Sequence, residues 1–183
     1  MSDAVIVIDM LNDFVTGKIE AERAQNIIPT LRDELLPAAR AHDVPVIYAN
    51  DAHRPEDFEL EVWGEHAMRG TAGAAVIPEL EPEADDHIFE KRFYDAFYGT
   101  GLDQHLRSLG VDRLVMTGLH TNMCVRHSSA TGFFNGYEII VPKDCVDAFT
   151  EDEHENGLDY LERVYNADLT TAAALIEEWE AAA

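Results

Sequence analysis

The sequence predicts an α/β fold: a three-layer sandwich with a mostly parallel, Rossmann-like central sheet flanked by helices. Short β-branched runs alternate with longer amphipathic segments along the chain. Strand–helix–strand alternation needs right-handed crossovers and a mostly parallel sheet covered on both faces. No Gly/Ser/Pro-rich linker and no internal repeat interrupts it, so residues 1–183 read as a single domain.

The elements follow in order. Residues 4–8 form an apolar run of strand length that ends in Asp9. Residues 24–41 carry Ile27, Ile28, Leu31, Leu35 and Leu36 at helical spacing. A second strand is expected over 44–49, then an irregular stretch to about residue 73. Residues 87–89 read as a short third strand, and 101–109 as a helix ended by Gly110. A fourth strand over 113–117 precedes a helix over 123–134 that stops at Gly136, and 137–141 is the fifth strand. Helices over 152–165 and 171–180 close the chain around a short segment near 168–169. Sheets of this kind bind ligands beyond the carboxyl ends of their strands. Asp9, Asp51, His53 and Lys91 all follow strands, and Cys124 follows the fourth after a short loop.

Composition narrows the class. A length of 183 residues with 46% hydrophobic content is enough to bury a core without disulfides, which excludes a disordered chain. The 36 acidic residues against 13 basic ones give a net charge of −23, which excludes nucleic-acid binding through a basic face and argues against an anionic membrane. The acids are dispersed, and lysine occurs only at 18, 91 and 143. That pattern fits a surface kept soluble in high salt better than a docking site for a basic partner. No stretch is long and apolar enough to span a bilayer, and the start of the chain lacks signal-peptide character. Two cysteines, Cys124 and Cys145, give no disulfide framework, so a reduced, cytoplasmic protein is expected.

Cys124 reads, on its own, either as a buried core residue or as a nucleophile. In the first turn of a helix after a strand, free N–H groups and the helix dipole favour a thiolate and can also bind a developing oxyanion. Cys145 has no such setting and reads as core. Asp51 and His53 stand two apart at the end of the second strand, where both side chains can reach one face and one cation; by spacing alone, two surface residues are the other reading.

Several ordered motifs then carry a resemblance over nearly the whole chain. Asp9-Met10-Leu11-Asn12-Asp13-Phe14, Lys91, Asp95-Ala96-Phe97-Tyr98-Gly99-Thr100, Gly118-Leu119-His120-Thr121-Asn122-Met123-Cys124-Val125 and Gly136-Tyr137 resemble the isochorismatase-like cysteine hydrolases, which include nicotinamidases and N-carbamoylsarcosine amidases. The resemblance implies a catalytic triad of Asp9, Lys91 and Cys124, acting through a thioester. In that reading Lys91 lowers the thiol pKa, and Asp9 accepts the thiol proton and returns it to the leaving amine. It also implies a cis Leu119–His120 peptide bond, with the backbone N–H groups of His120 and Cys124 as oxyanion hole. True isochorismatases cleave a vinyl ether and lack the cysteine, so Cys124 argues against that chemistry.

Nicotinamidases bind a divalent cation through an Asp-x-His and a later His before Gly-Thr, a pattern that Asp51, His53 and His66 match. Imidazole with carboxylate suits zinc, with iron and manganese as alternatives. Phe14, Trp63 and Tyr98 are candidate pocket walls for a planar amide. Asn122, where an acid often stands, and the short 53–66 spacing depart from many nicotinamidases. The expected activity is therefore hydrolysis of a small-molecule amide, with nicotinamide first. An N-carbamoylsarcosine or other ureido substrate is the alternative, and a catalytically silent metal-binding scaffold is a third reading. The family resemblance further implies a homo-oligomer.

Overall fold

Residues 2–182 are described by a computed structural model of the chain. Strand β1 (Asp3–Ile8) is buried throughout and is followed by the short helix α1 (Asn12–Val15). Helix α2 begins at Ile28–Thr30, widens through Leu31–Leu35 and continues as Leu36–Ala41. Then come β2 (Val46–Asp51), α3 (Leu60–Trp63), β3 (His87–Lys91), α4 (Leu102–Ser108) and β4 (Arg113–Leu119). Helix α5 opens with a wide turn, Thr121–Val125, and continues as Arg126–Phe134. It leads to β5 (Glu138–Pro142), β6 (Val146–Asp147), α6 (Glu151–Tyr165), β7 (Asp168–Thr170) and α7 (Ala172–Ala182).

The sheet runs β3-β2-β1-β4-β5-β7, with β6 beside β4, and every pairing within it is parallel. Alternate residues of each strand enter separate cores. Val5, Val7, Tyr48 and Val115 pack on one face; Ala4, Ile6, Ile8, Ile47 and Met116 pack on the other. This is the α/β three-layer sandwich that the alternation predicts. The order reverses between β1 and β4, which makes their carboxyl ends the topological switch point.

Several boundaries differ from those expected. The helix over 24–41 is preceded by a tighter turn, Glu22–Asn26, and bulges inside. Pro37 has no N–H to donate one turn back, and the Leu36 N–H instead reaches the carbonyl of Leu31, five residues away. Strand β2 starts and ends two residues later than expected, because its register with β3 pairs Asp51 with Lys91. Helix α5 starts at Thr121 rather than 123.

Candidate active site

Asp9, at the end of β1, adopts a left-handed backbone (φ 52°) that turns its fully buried carboxylate beneath β2. Its Oδ1 accepts the Asp51 N–H at 2.8 Å. The register of β2 and β3 sets Asp51 beside Lys91, and the ammonium bridges both acids: 2.7 Å to Asp9 Oδ2 and 2.5 Å to Asp51 Oδ1. Cys124 Sγ and a carboxylate oxygen from each of Asp9 and Asp51 lie within 4.8 Å of one another. The Leu119–His120 peptide bond is cis. Lys91 does not pair with its neighbour Glu90, which bonds Arg69 instead.

The electrostatics correct one expectation. Burial pushes the Cys124 thiol well above its ordinary range, and Asp9 and Asp51 add to that; Lys91 pulls down but does not prevail. Burial and the two acids thus favour the thiol form over the thiolate. Burial, with the Asp51 charge, also raises Asp9 to about 6 against the pull of Lys91. Burial would raise Asp51 too, but Lys91 and His53 hold it below the usual carboxylate range. Lys91 itself is driven well up by the two acids despite its burial. It lowers the pKa of all three neighbours, Cys124, Asp9 and Asp51, and so favours ionised carboxylates side by side.

A second cluster adjoins the first. Asp51, His53, Glu59 and His66 each offer a ligand atom, all within 4.8 Å of one another. Asp51 Oδ2, His53 Nε2 and His66 Nε2 are buried with no hydrogen-bond partner. Three orphaned lone-pair atoms facing one point fit a divalent cation, since unpaired buried polar atoms are costly otherwise. The rings are oriented from behind, as metal-binding histidines are. His53 Nδ1 contacts Asp57 Oδ2 at 3.2 Å, and His66 Nδ1 contacts the Gly64 carbonyl at 2.8 Å. Arg92 clamps Asp57. Asp13 fixes the loop of His66 by accepting the Ala67 N–H at 2.8 Å. Glu59 is the member that spacing did not reveal; burial and Asp51 raise it to about 7.

Both clusters open into a narrow pocket lined by Phe14, Trp63, Tyr94, His120, Met123 and Phe149, among others. Phe14 and Trp63 stand where the pocket reading needs them. Tyr98 does not: it is 63% exposed and packs edge-on against Phe93. The turn buries Ala96 and Phe97 in the core, which sends Tyr98 outward. Tyr94 and Phe149 are walls instead. Tyr94 accepts a 3.0 Å hydrogen bond from the Trp63 indole, and Phe149 stacks between Trp63 and His120. Neither has a local sequence signal.

Comparison with known proteins agrees with this architecture. The N-carbamoylsarcosine amidase structure of Thermoplasma acidophilum is 40% identical, with 94% of this chain and 97% of that one covered and a TM-score of 0.89. The nicotinamidase structure of Bacillus subtilis is 29% identical over 93% and 100% of the two chains, at a TM-score of 0.86. A ureidoacrylate amidohydrolase of Yersinia enterocolitica is 26% identical over 91% of this chain and 82% of its own length. The isochorismatase domain model matches residues 3–174, and with the parallel sheet and its switch-point cluster this establishes that the chain belongs to the isochorismatase family of hydrolases.

Proposed function

We propose that this protein is a cysteine amidohydrolase that cleaves a small carboxamide, with nicotinamide to nicotinate and ammonia as the leading reaction. The observation that carries the proposal is the convergence of Cys124, Asp9 and Lys91 with four potential metal ligands on one aromatic-walled pocket. As substrate binds, Asp9 takes the thiol proton and Cys124 Sγ attacks the amide carbon. The backbone N–H groups of His120 and Cys124 receive the oxyanion. Asp9 returns the proton to the leaving nitrogen, ammonia departs, and water hydrolyses the thioester to free the thiol. Lys91 keeps Asp9 ionised for the first transfer. Asp51, His53 and His66, with Glu59 beside them, would hold a divalent cation, zinc first and iron or manganese as alternatives, which would supply a Lewis acid next to the substrate.

Cleavage of N-carbamoylsarcosine is the second reading, favoured by the 40% identity to that amidase. Ammonia release from both substrates, in high salt with divalent metal, tests the choice. Turnover of N-carbamoylsarcosine without nicotinamide would transfer the assignment, and turnover of no amide would refute the class. The reading also places the protein in a reducing, cytoplasmic compartment, supported by two buried free cysteines. Among the described residues, no helix is long and apolar enough to cross a membrane. Exposed Phe133, Phe134 and Val164 support a homo-oligomer, and the dispersed −23 charge supports a high-salt habitat.

A further inference from the structure

The scheme above uses the backbone of His120 but not its side chain. The residue is 2% exposed and lines the pocket, and its Nε2 has no hydrogen-bond partner. The ring is clamped: it stacks on Phe149 at 4.1 Å between centroids and meets Phe14 edge-on at 5.6 Å. A buried nitrogen left unpaired is costly, and a substrate group of matching chemistry would remove that cost.

The charges around it are one-sided. No lysine or arginine lines the pocket, whereas Asp51 and Glu59 do. Lys91 lies behind the wall, fully engaged by Asp9 and Asp51. Burial keeps the His120 imidazole neutral, its pKa pushed down to about 4. A divalent cation among the four ligands would meet the two carboxylates of Asp51 and Glu59, which match its charge. No surplus positive charge is left for an anion.

We propose that the His120 side chain is a specificity determinant that hydrogen-bonds an uncharged polar group of the substrate, so that the site accepts neutral amides and rejects amides bearing a carboxylate. This rests on the nicotinamide form of the amidohydrolase reading, names its substrate class, and excludes N-carbamoylsarcosine, which carries a carboxylate. A neutral imidazole presents either an N–H or a lone pair at Nε2, which suits a carboxamide, a ring nitrogen or a hydroxyl. A carboxylate there would lose its water against Phe14, Trp63 and Phe149 and gain only a neutral partner.

Maleamide and maleamate form a matched pair: one skeleton, one scissile carboxamide, with a neutral or a charged far end. Initial ammonia release should give a kcat/KM at least about tenfold higher for maleamide. His120→Phe keeps the stacked ring and removes the nitrogen. It should raise the maleamide KM about tenfold, the worth of one hydrogen bond, with the loss falling on KM rather than kcat. His120→Gln should recover part of it. Equal or better use of maleamate, or an unchanged KM in His120→Phe, overturns the proposal. Calorimetry of the pair on Cys124→Ala protein gives a readout independent of turnover: maleamide should bind more tightly, and equal binding, or none of either, counts against the inference. If the wild type hydrolyses no amide while Cys124→Ala prefers maleamide, the amidohydrolase reading fails and the selectivity stands.

Discussion

Lys91 is one of three lysines in an acidic chain, and it is buried between two carboxylates. Removing it leaves Asp9 and Asp51 facing each other without compensation. Lys91→Met should therefore cost about 3–5 kcal/mol of stability, read by denaturant unfolding; a loss under about 1 kcal/mol would show that the ammonium is not needed to hold the pair. Cys124→Ala removes no charge and should abolish hydrolysis at an unchanged melting temperature; retained activity would refute the nucleophile. Asp9 must be ionised to accept the thiol proton, and it is raised to about 6. Activity should then fall as pH drops, with the acid limb of kcat/KM at or below about pH 6, because a bound cation would relieve the repulsion from Asp51. A limb well above 7 would exclude Asp9 as base. Behind the metal ligands, Asp57→Asn should weaken zinc affinity about 10–100-fold, measured by chelator competition.

At the scale of elements, the site depends on close approaches between strands and turns. Gly118 has φ +94°, and a Cβ there would collide with the carbonyl oxygen of Ile8 on β1. Gly118→Ala should destabilise the protein by about 1–3 kcal/mol and separate Asp9 from Cys124. A variant as stable and active as the wild type would show that the β1–β4 contact yields freely. Helix α6 braces the nucleophile turn from behind. Its His154 Nδ1 lies 2.9 Å from Thr121 Oγ1, and Gly157 leaves room for the backbone at Asn122. Helix α6 was legible, starting at a capping box of Thr150 with Glu153 and reaching Tyr165. The wide turns within α2 and α5 were not, because hydrophobic spacing does not report which carbonyl an N–H selects.

Across the whole molecule, the reversal of strand order brings residues from positions 9, 51, 91 and 124 to one crevice. The net charge of −23 surrounds that site with self-repulsion. Raising KCl from about 0.1 M to about 1 M shortens the screening length from about 10 Å to about 3 Å. The melting temperature should rise with salt over this range, and a flat or falling curve would end the high-salt interpretation. The sequence by itself determined the strand–helix alternation, and with it which residues stand at carboxyl ends. Those signals are local: apolar runs, helical spacing and the residues that end them. Asp9, Asp51, His53, His66, Lys91 and Cys124 were all legible on that basis or through the motifs they belong to. Only the tertiary structure decided that Glu59, Tyr94 and Phe149 line the pocket or the metal cluster, that Tyr98 leaves the pocket, and that burial favours the thiol form of Cys124. Each of those outcomes depends on which distant segments meet and how much water they exclude, and burial outweighed a neighbouring charge where sequence order alone suggested the reverse.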